Sequence, residues 1–126
     1  MAGAAFLAGC LGGGDEAQPA GGAPRAIAAT VQRLERATAE RDFATICGDL
    51  LTASARRRAG GPDCVRLTRS AAAGVELPRI AARAIDIEGA TARVSVVTRA
   101  KGQAAVRDEL VLRRQRGRWR IDSLGG

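Results

Sequence analysis

The sequence predicts an α+β domain, with N-terminal helices packed on one face of a curved four-stranded antiparallel meander. Three observations carry this prediction. Between Pro24 and Gly74 the apolar residues recur every three or four positions, the period of a helix with one buried face. From Arg79 onward apolar and polar residues alternate, the period of a half-buried strand. The two patterns are segregated along the chain, helices first, which places the helices on one side of an antiparallel sheet.

The chain begins with a short apolar run, Ala2 to Leu7, leading into Leu7-Ala8-Gly9-Cys10. Small residues before a cysteine form the pattern of a bacterial lipoprotein signal, because the processing enzymes must reach the thiol and the peptide bond before it. Residues 1–10 read as such a signal, with Cys10 as the lipidated residue. Two or three acyl chains, at about 0.8 kcal/mol per buried methylene, hold firmly where one does not. No Lys or Arg precedes Cys10, so the reading carries the expectation of a basic leader upstream of Met1. The alternative is a disordered Ala/Gly-rich tail. Residues 11–23 are Gly-rich and nearly free of large apolar side chains, so they read as a flexible tether with a span of roughly 20 Å. Residues 24–126 form one domain. The expected location is the outer face of the cytoplasmic membrane.

Within that domain, Pro24 opens a helix whose face is Ile27, Val31, Leu34 and Thr38. Asp42 caps a second helix carrying Phe43, Ile46, Cys47, Leu50 and Leu51. Thr52 to Arg58 read as a polar stretch ending at Gly60-Gly61. Pro62 opens a third helix with Cys64, Leu67, Thr68 and Ala71 on its inner face. The strands then run from Arg79 to a Gly89-Ala90 turn, through Ala92 to Arg99, through Leu110 and Leu112, and across an Arg116-Gly117 turn into Trp119 and Ile121.

With Cys10 assigned to lipid, Cys47 and Cys64 remain as an even pair on two apolar helix faces turned to one core. In an oxidising compartment they are expected to form a disulfide; two buried free thiols are the alternative.

Composition excludes much chemistry. The chain has no histidine and no tyrosine, and its net charge of +7 rests almost wholly on arginine. The commonest general base, transition-metal ligand and nucleophile partner is therefore missing. No cysteine cluster has metal spacing and no phosphate-binding loop follows a strand, so no cofactor is expected. Only Phe6, Phe43 and Trp119 are aromatic, too few to build a stacking platform for nucleic acid.

The strand Gly117-Arg118-Trp119-Arg120-Ile121-Asp122 and the hairpin Ile85-Asp86-Ile87-Glu88-Gly89, behind a helix pair, resemble the nuclear transport factor 2-like (SnoaL-like, cystatin-type) fold. The likeness covers Pro24 to Leu124 and is closest to small extracytoplasmic lipoproteins of actinobacteria. It implies a cone-shaped sheet with an internal cavity, and a sheet through which related folds often dimerise. Enzymes of that family use an Asp base with Tyr or His partners, both absent here.

Strand registers suggest a site. A Gly89-Ala90 turn sets Arg83 beside Val96, and a symmetric second hairpin sets Val96 beside Asp108. Arg83 and Asp108 then share a face with Leu110 and Trp119 at the mouth of the cone. These five residues are the pocket candidates. One reading is a polar end to an apolar pocket; the other is an intramolecular ion pair at the strand ends. An enzymatic version would use Asp108 as base and Arg83 or Trp119 as polariser, for proton transfer or elimination on a small apolar substrate.

The opposite face collects Arg93, Arg99, Arg107, Arg113, Arg118 and Arg120, with Arg113 across from Arg120; Arg93, Arg113, Arg118 and Arg120 are the candidates for an anionic surface. This face reads either as a docking surface for anionic headgroups or cell-wall polymers, or as a solvated face balanced by acidic neighbours. The functional expectation is a tethered binding or interaction module rather than an enzyme. A partner protein, an anionic surface or a small ligand could fill that role.

Overall fold

The computed structural model describes residues 22–124. Cys10, the signal segment and residues 11–21 of the tether lie outside the described residues. The helix expected at Pro24 already begins at Gly22, so the last two residues assigned to the tether belong to the domain.

Helix α1 (Gly22–Ala39) buries Ile27, Thr30, Val31, Leu34 and Ala37. It ends in a two-bond C-terminal cap, with the Asp42 amide donating to the Ala37 carbonyl and the Arg41 amide to Thr38. Arg41 takes the left-handed conformation that this cap requires, at φ 58°. Asp42 then caps α2 (Phe43–Thr45), accepting from the Thr45 amide at 3.1 Å. Helix α2 runs directly into a π-helical turn, Ile46–Leu50, marked by the Leu51 amide donating to the Ile46 carbonyl.

The segment read as a polar stretch is helix α3 (Ala53–Arg58). Thr52 caps it, its hydroxyl accepting from the Ala55 amide at 3.0 Å, and Arg56, Arg57 and Arg58 sit at its C-terminal end. A 3-10 turn at Gly61–Asp63 leads into α4 (Cys64–Ala71). The expected inner face of α4 is narrower than its periodicity suggests. Only Cys64 is buried, while Leu67 is 42% exposed and lies across Gly60. Gly60 takes φ 117°, a backbone conformation that L side chains rarely adopt, so the turn favours glycine there. Cys47 and Cys64 form the expected disulfide, which fastens α4 to the π turn.

Strands β1 (Arg79–Glu88), β2 (Thr91–Arg99), β3 (Val106–Gln115) and β4 (Arg118–Leu124) pair antiparallel in the order β1-β2-β3-β4. The helices cover one face. Ala92, Val94 and Val96 of β2, Leu110 and Leu112 of β3, and Trp119 and Ile121 of β4 pack with Ile27, Val31, Phe43, Ile46 and Leu50 in one core. Where the sheet encloses the helices, its interior is filled by side chains.

Two bulges break the ladder. The first hairpin keeps its expected register to Ala84↔Ser95, then Ala82 rather than Arg83 faces Val96. Arg83 is the extra residue, which bends the edge strand. The second bulge lies between Leu112↔Ile121 and Val111↔Ser123, and it frees Asp122 from the ladder. The link between the π turn and α3 lies along β4: Leu51 forms a parallel bridge with Ile121, and the Thr52 amide donates to the Ile121 carbonyl at 2.9 Å. That contact closes an edge which would otherwise offer free hydrogen-bonding groups.

Candidate functional site

A groove at the far end of β2 and β3 brings together Arg83, Val96 and Asp108, three of the residues singled out by register. It encloses about 600 Å³ and is also lined by Ser95, Val97, Arg99, Ala105, Arg107 and Glu109. Val96 faces Asp108 across the ladder as the second hairpin predicts. Strand parity shows where the groove lies. Val96 and Asp108 belong to the core-facing row, and Ser95, Val97, Arg107 and Glu109 to the outward row, so the groove wraps the rim of the sheet. The bulge at Arg83 puts its side chain there from β1.

The charges in the groove are unevenly committed. Glu109 is held by Arg93 at 3.1 Å. Arg83 and Asp108 do not form an ion pair: among the described residues neither side chain has a hydrogen-bond or salt-bridge partner, and the same holds for the side chains of Arg99 and Arg107. Three guanidinium groups and one carboxylate therefore face the groove with unused hydrogen-bonding capacity, around an apolar floor of Val96, Val97 and Ala105.

Leu110 and Trp119 do not join this site. Both are core residues, packed under the helices. Trp119 pairs with Arg114, six residues along β3 from Asp108, which separates the two by about 20 Å at roughly 3.3 Å per strand residue. The indole stacks under the Arg114 guanidinium, 5.9 Å from ring centre to cation. A base at Asp108 polarised by Trp119 is not assembled.

Of the six arginines expected on the outward face, the four anionic-surface candidates have partners. Arg93 pairs with Glu109, Arg113 with Asp122 at 3.1 Å, and Arg118 with Asp49 at 2.9 Å. Arg120 donates to the Asp49 carbonyl at 3.1 Å. The expected rung Arg113↔Arg120 is present, and the repulsion across it is relieved by Asp122 and by that carbonyl. Asp49 is held below the ordinary carboxylate range by its hydrogen bond from Arg33 and then by Arg118, against the opposing effect of burial. The carboxyl of Asp122 is lowered mainly by the Thr52 hydroxyl, with Arg113 and Arg58 adding to it.

Alternation assigns Arg99 and Arg107 to the outward arginine face, and the structure brings them into the groove. Both are legible as the outward residues flanking the Lys101-Gly102 loop, where the two strand ends converge.

No family model matches the chain, and no curated protein matches it. Solved structures do. The designed NTF2-fold chain designated Rd1NTF2_05 superposes with a TM-score of 0.59 at 17% identity, covering 79% of this chain and 91% of its own length. The de novo designed NTF2-fold protein NT-9 gives a TM-score of 0.52 at 16% identity, covering 77% and 82%. The domain therefore has an NTF2-like fold, helices followed by a four-stranded antiparallel sheet. At these identities the likeness defines the fold alone.

Proposed function

We propose that the protein is a non-catalytic binding module, displayed on the outer face of the cytoplasmic membrane through a lipidated Cys10. In this reading its rim groove takes an amphipathic anion. The observation that carries the ligand class is the set of unpartnered Arg83, Arg99 and Arg107 around Val96, Val97 and Ala105. Guanidinium groups match a carboxylate or phosphate by paired hydrogen bonds, and the apolar floor accepts a short hydrocarbon body. Asp108 is placed to accept from a hydroxyl or amine on the same ligand. The Leu7-Ala8-Gly9-Cys10 motif and the Gly-rich segment behind it support the anchored location.

Calorimetric titration with decanoate and with decanol tests the ligand class. The expected result is one decanoate site, weakened at least fivefold by Arg83→Gln and further by Arg107→Gln, with decanol binding far more weakly. Equal affinity for the neutral alcohol, or no decanoate binding, overturns it. For the anchor, Cys10→Ser is expected to move the protein from the membrane to the soluble fraction, and unchanged membrane fractionation sinks that part.

A further inference from the structure

A second cleft, remote from the rim groove, lies between the π turn, α3 and the Gly61-Pro62 turn, closed on one side by Arg120 of β4. It encloses about 460 Å³. Its lining carries Arg56, Arg57 and Arg120 and no carboxylate, over a floor of Leu51 and the disulfide at Cys47. Arg120 is already positioned by its hydrogen bond to the Asp49 carbonyl. The neighbouring Arg58 is committed to Ser54 and Asp122. The guanidinium groups of Arg56 and Arg57 have no hydrogen-bond or salt-bridge partner among the described residues. Basic residues at a helix C-terminus offset its dipole, but that effect does not require two of them to converge with Arg120 on one concavity.

Gly48 points the same way independently. It sits at the middle of the π turn and lines the cleft. A Cβ added there meets nothing within 4 Å, and its backbone is not left-handed. Neither packing nor φ explains glycine at a helical position where alanine is the better helix former. Its absent side chain leaves the cleft open in front of the arginines. A single π turn in a helix is itself a frequent mark of a functional site.

We propose that this cleft binds a compact phosphate group, held by the guanidiniums of Arg56, Arg57 and Arg120, with Gly48 left bare to admit it. Planar forked donors suit the oxygens of a phosphate, and the absence of a competing carboxylate leaves them free. The group could arrive as a soluble phosphate monoester or as a phosphomonoester lipid headgroup.

The test is calorimetric titration of the full chain with inorganic phosphate at constant ionic strength. One site is expected, weakened at least tenfold by Arg57→Gln and less than twofold by Arg116→Gln, which removes the same charge at the β3–β4 turn. Gly48→Leu is expected to abolish binding while thermal unfolding stays cooperative, since a Cβ there meets nothing within 4 Å. Flotation with phosphatidate vesicles separates the sources. Arg57-dependent flotation that inorganic phosphate displaces supports the site with a lipid ligand, and phosphate binding without flotation supports it with a soluble one. No phosphate binding, equal weakening by Arg57→Gln and Arg116→Gln, or a folded Gly48→Leu variant of unchanged affinity overturns the proposal.

Discussion

Asp49 and Asp122 decide how the arginines of this sheet are used. Each collects two guanidiniums from different elements: Arg33 and Arg118 on Asp49, Arg58 and Arg113 on Asp122. Both carboxyls are depressed when folded, so in acid the unfolded chain binds more protons and stability rises with pH. Their contribution is complete above the ordinary aspartate value of about 3.9 and is lost as pH falls below it through the depressed values. The thermal midpoint is expected to fall as pH drops from about 5 toward 2. Asp49→Asn should lower it at neutral pH and flatten the acid dependence; an unchanged slope in the variant would assign the acid sensitivity elsewhere. Thr52 is the other decisive residue. It is buried, caps α3, and donates to Asp122 at 2.7 Å. Thr52→Val keeps the shape and removes the cap and that bond, at a cost of about 1–2 kcal/mol. Urea unfolding checks the cost, and a loss under about 0.3 kcal/mol would show that the cap contributes little.

At the scale of elements, periodicity located α1, the Asp42 cap and all four strands, because each buries one face with a regular repeat. Irregular pieces were less legible. Helix α3 buries only Ala55 along its length, so it has no apolar stripe to read. Its signals were the Thr52 cap and the basic residues at its end. Helix α4 shows the converse: its apolar spacing suggested a buried face, yet it rests on the surface with Cys64 as its anchor. For an element so lightly packed the disulfide matters. The Cys47→Ala, Cys64→Ala double variant is expected to lose about 3 kcal/mol by the chain-entropy estimate. Its urea midpoint should fall while sheet circular dichroism persists below the transition, and an unchanged midpoint would show that packing alone holds α4. The bulge at Arg83 was not legible either. Alternation fixes which face a strand buries, but nothing in Ala81-Ala82-Arg83-Ala84 marks the residue that leaves the ladder.

At the scale of the molecule, the α+β class followed from the segregation of two periods, and the structural neighbours share that arrangement. The candidate site was half legible. Val96 and Asp108 meet at the groove because the second hairpin's register can be counted from its turns, whereas Arg83 reaches it through a bulge that the count did not foresee. Leu110 and Trp119 do not, because alternation cannot tell a residue under the helices from one beyond their reach. The basic face is partly neutralised on folding: Glu109 and Asp122, on the strands themselves, hold Arg93 and Arg113, while Asp49, which holds Arg118 and Arg120, comes from a helical segment whose proximity no strand pattern encodes.

The contact between Leu51–Thr52 and Ile121 sets the order in which this chain can assemble. It closes a loop of about 70 residues, at an entropic cost near 4 kcal/mol by the logarithmic rule, before any of its packing is realised. The helical half cannot seal its apolar face until the last strand of the meander has arrived. A chain lengthening from its N-terminus therefore leaves that face unsealed until nearly all of it is present.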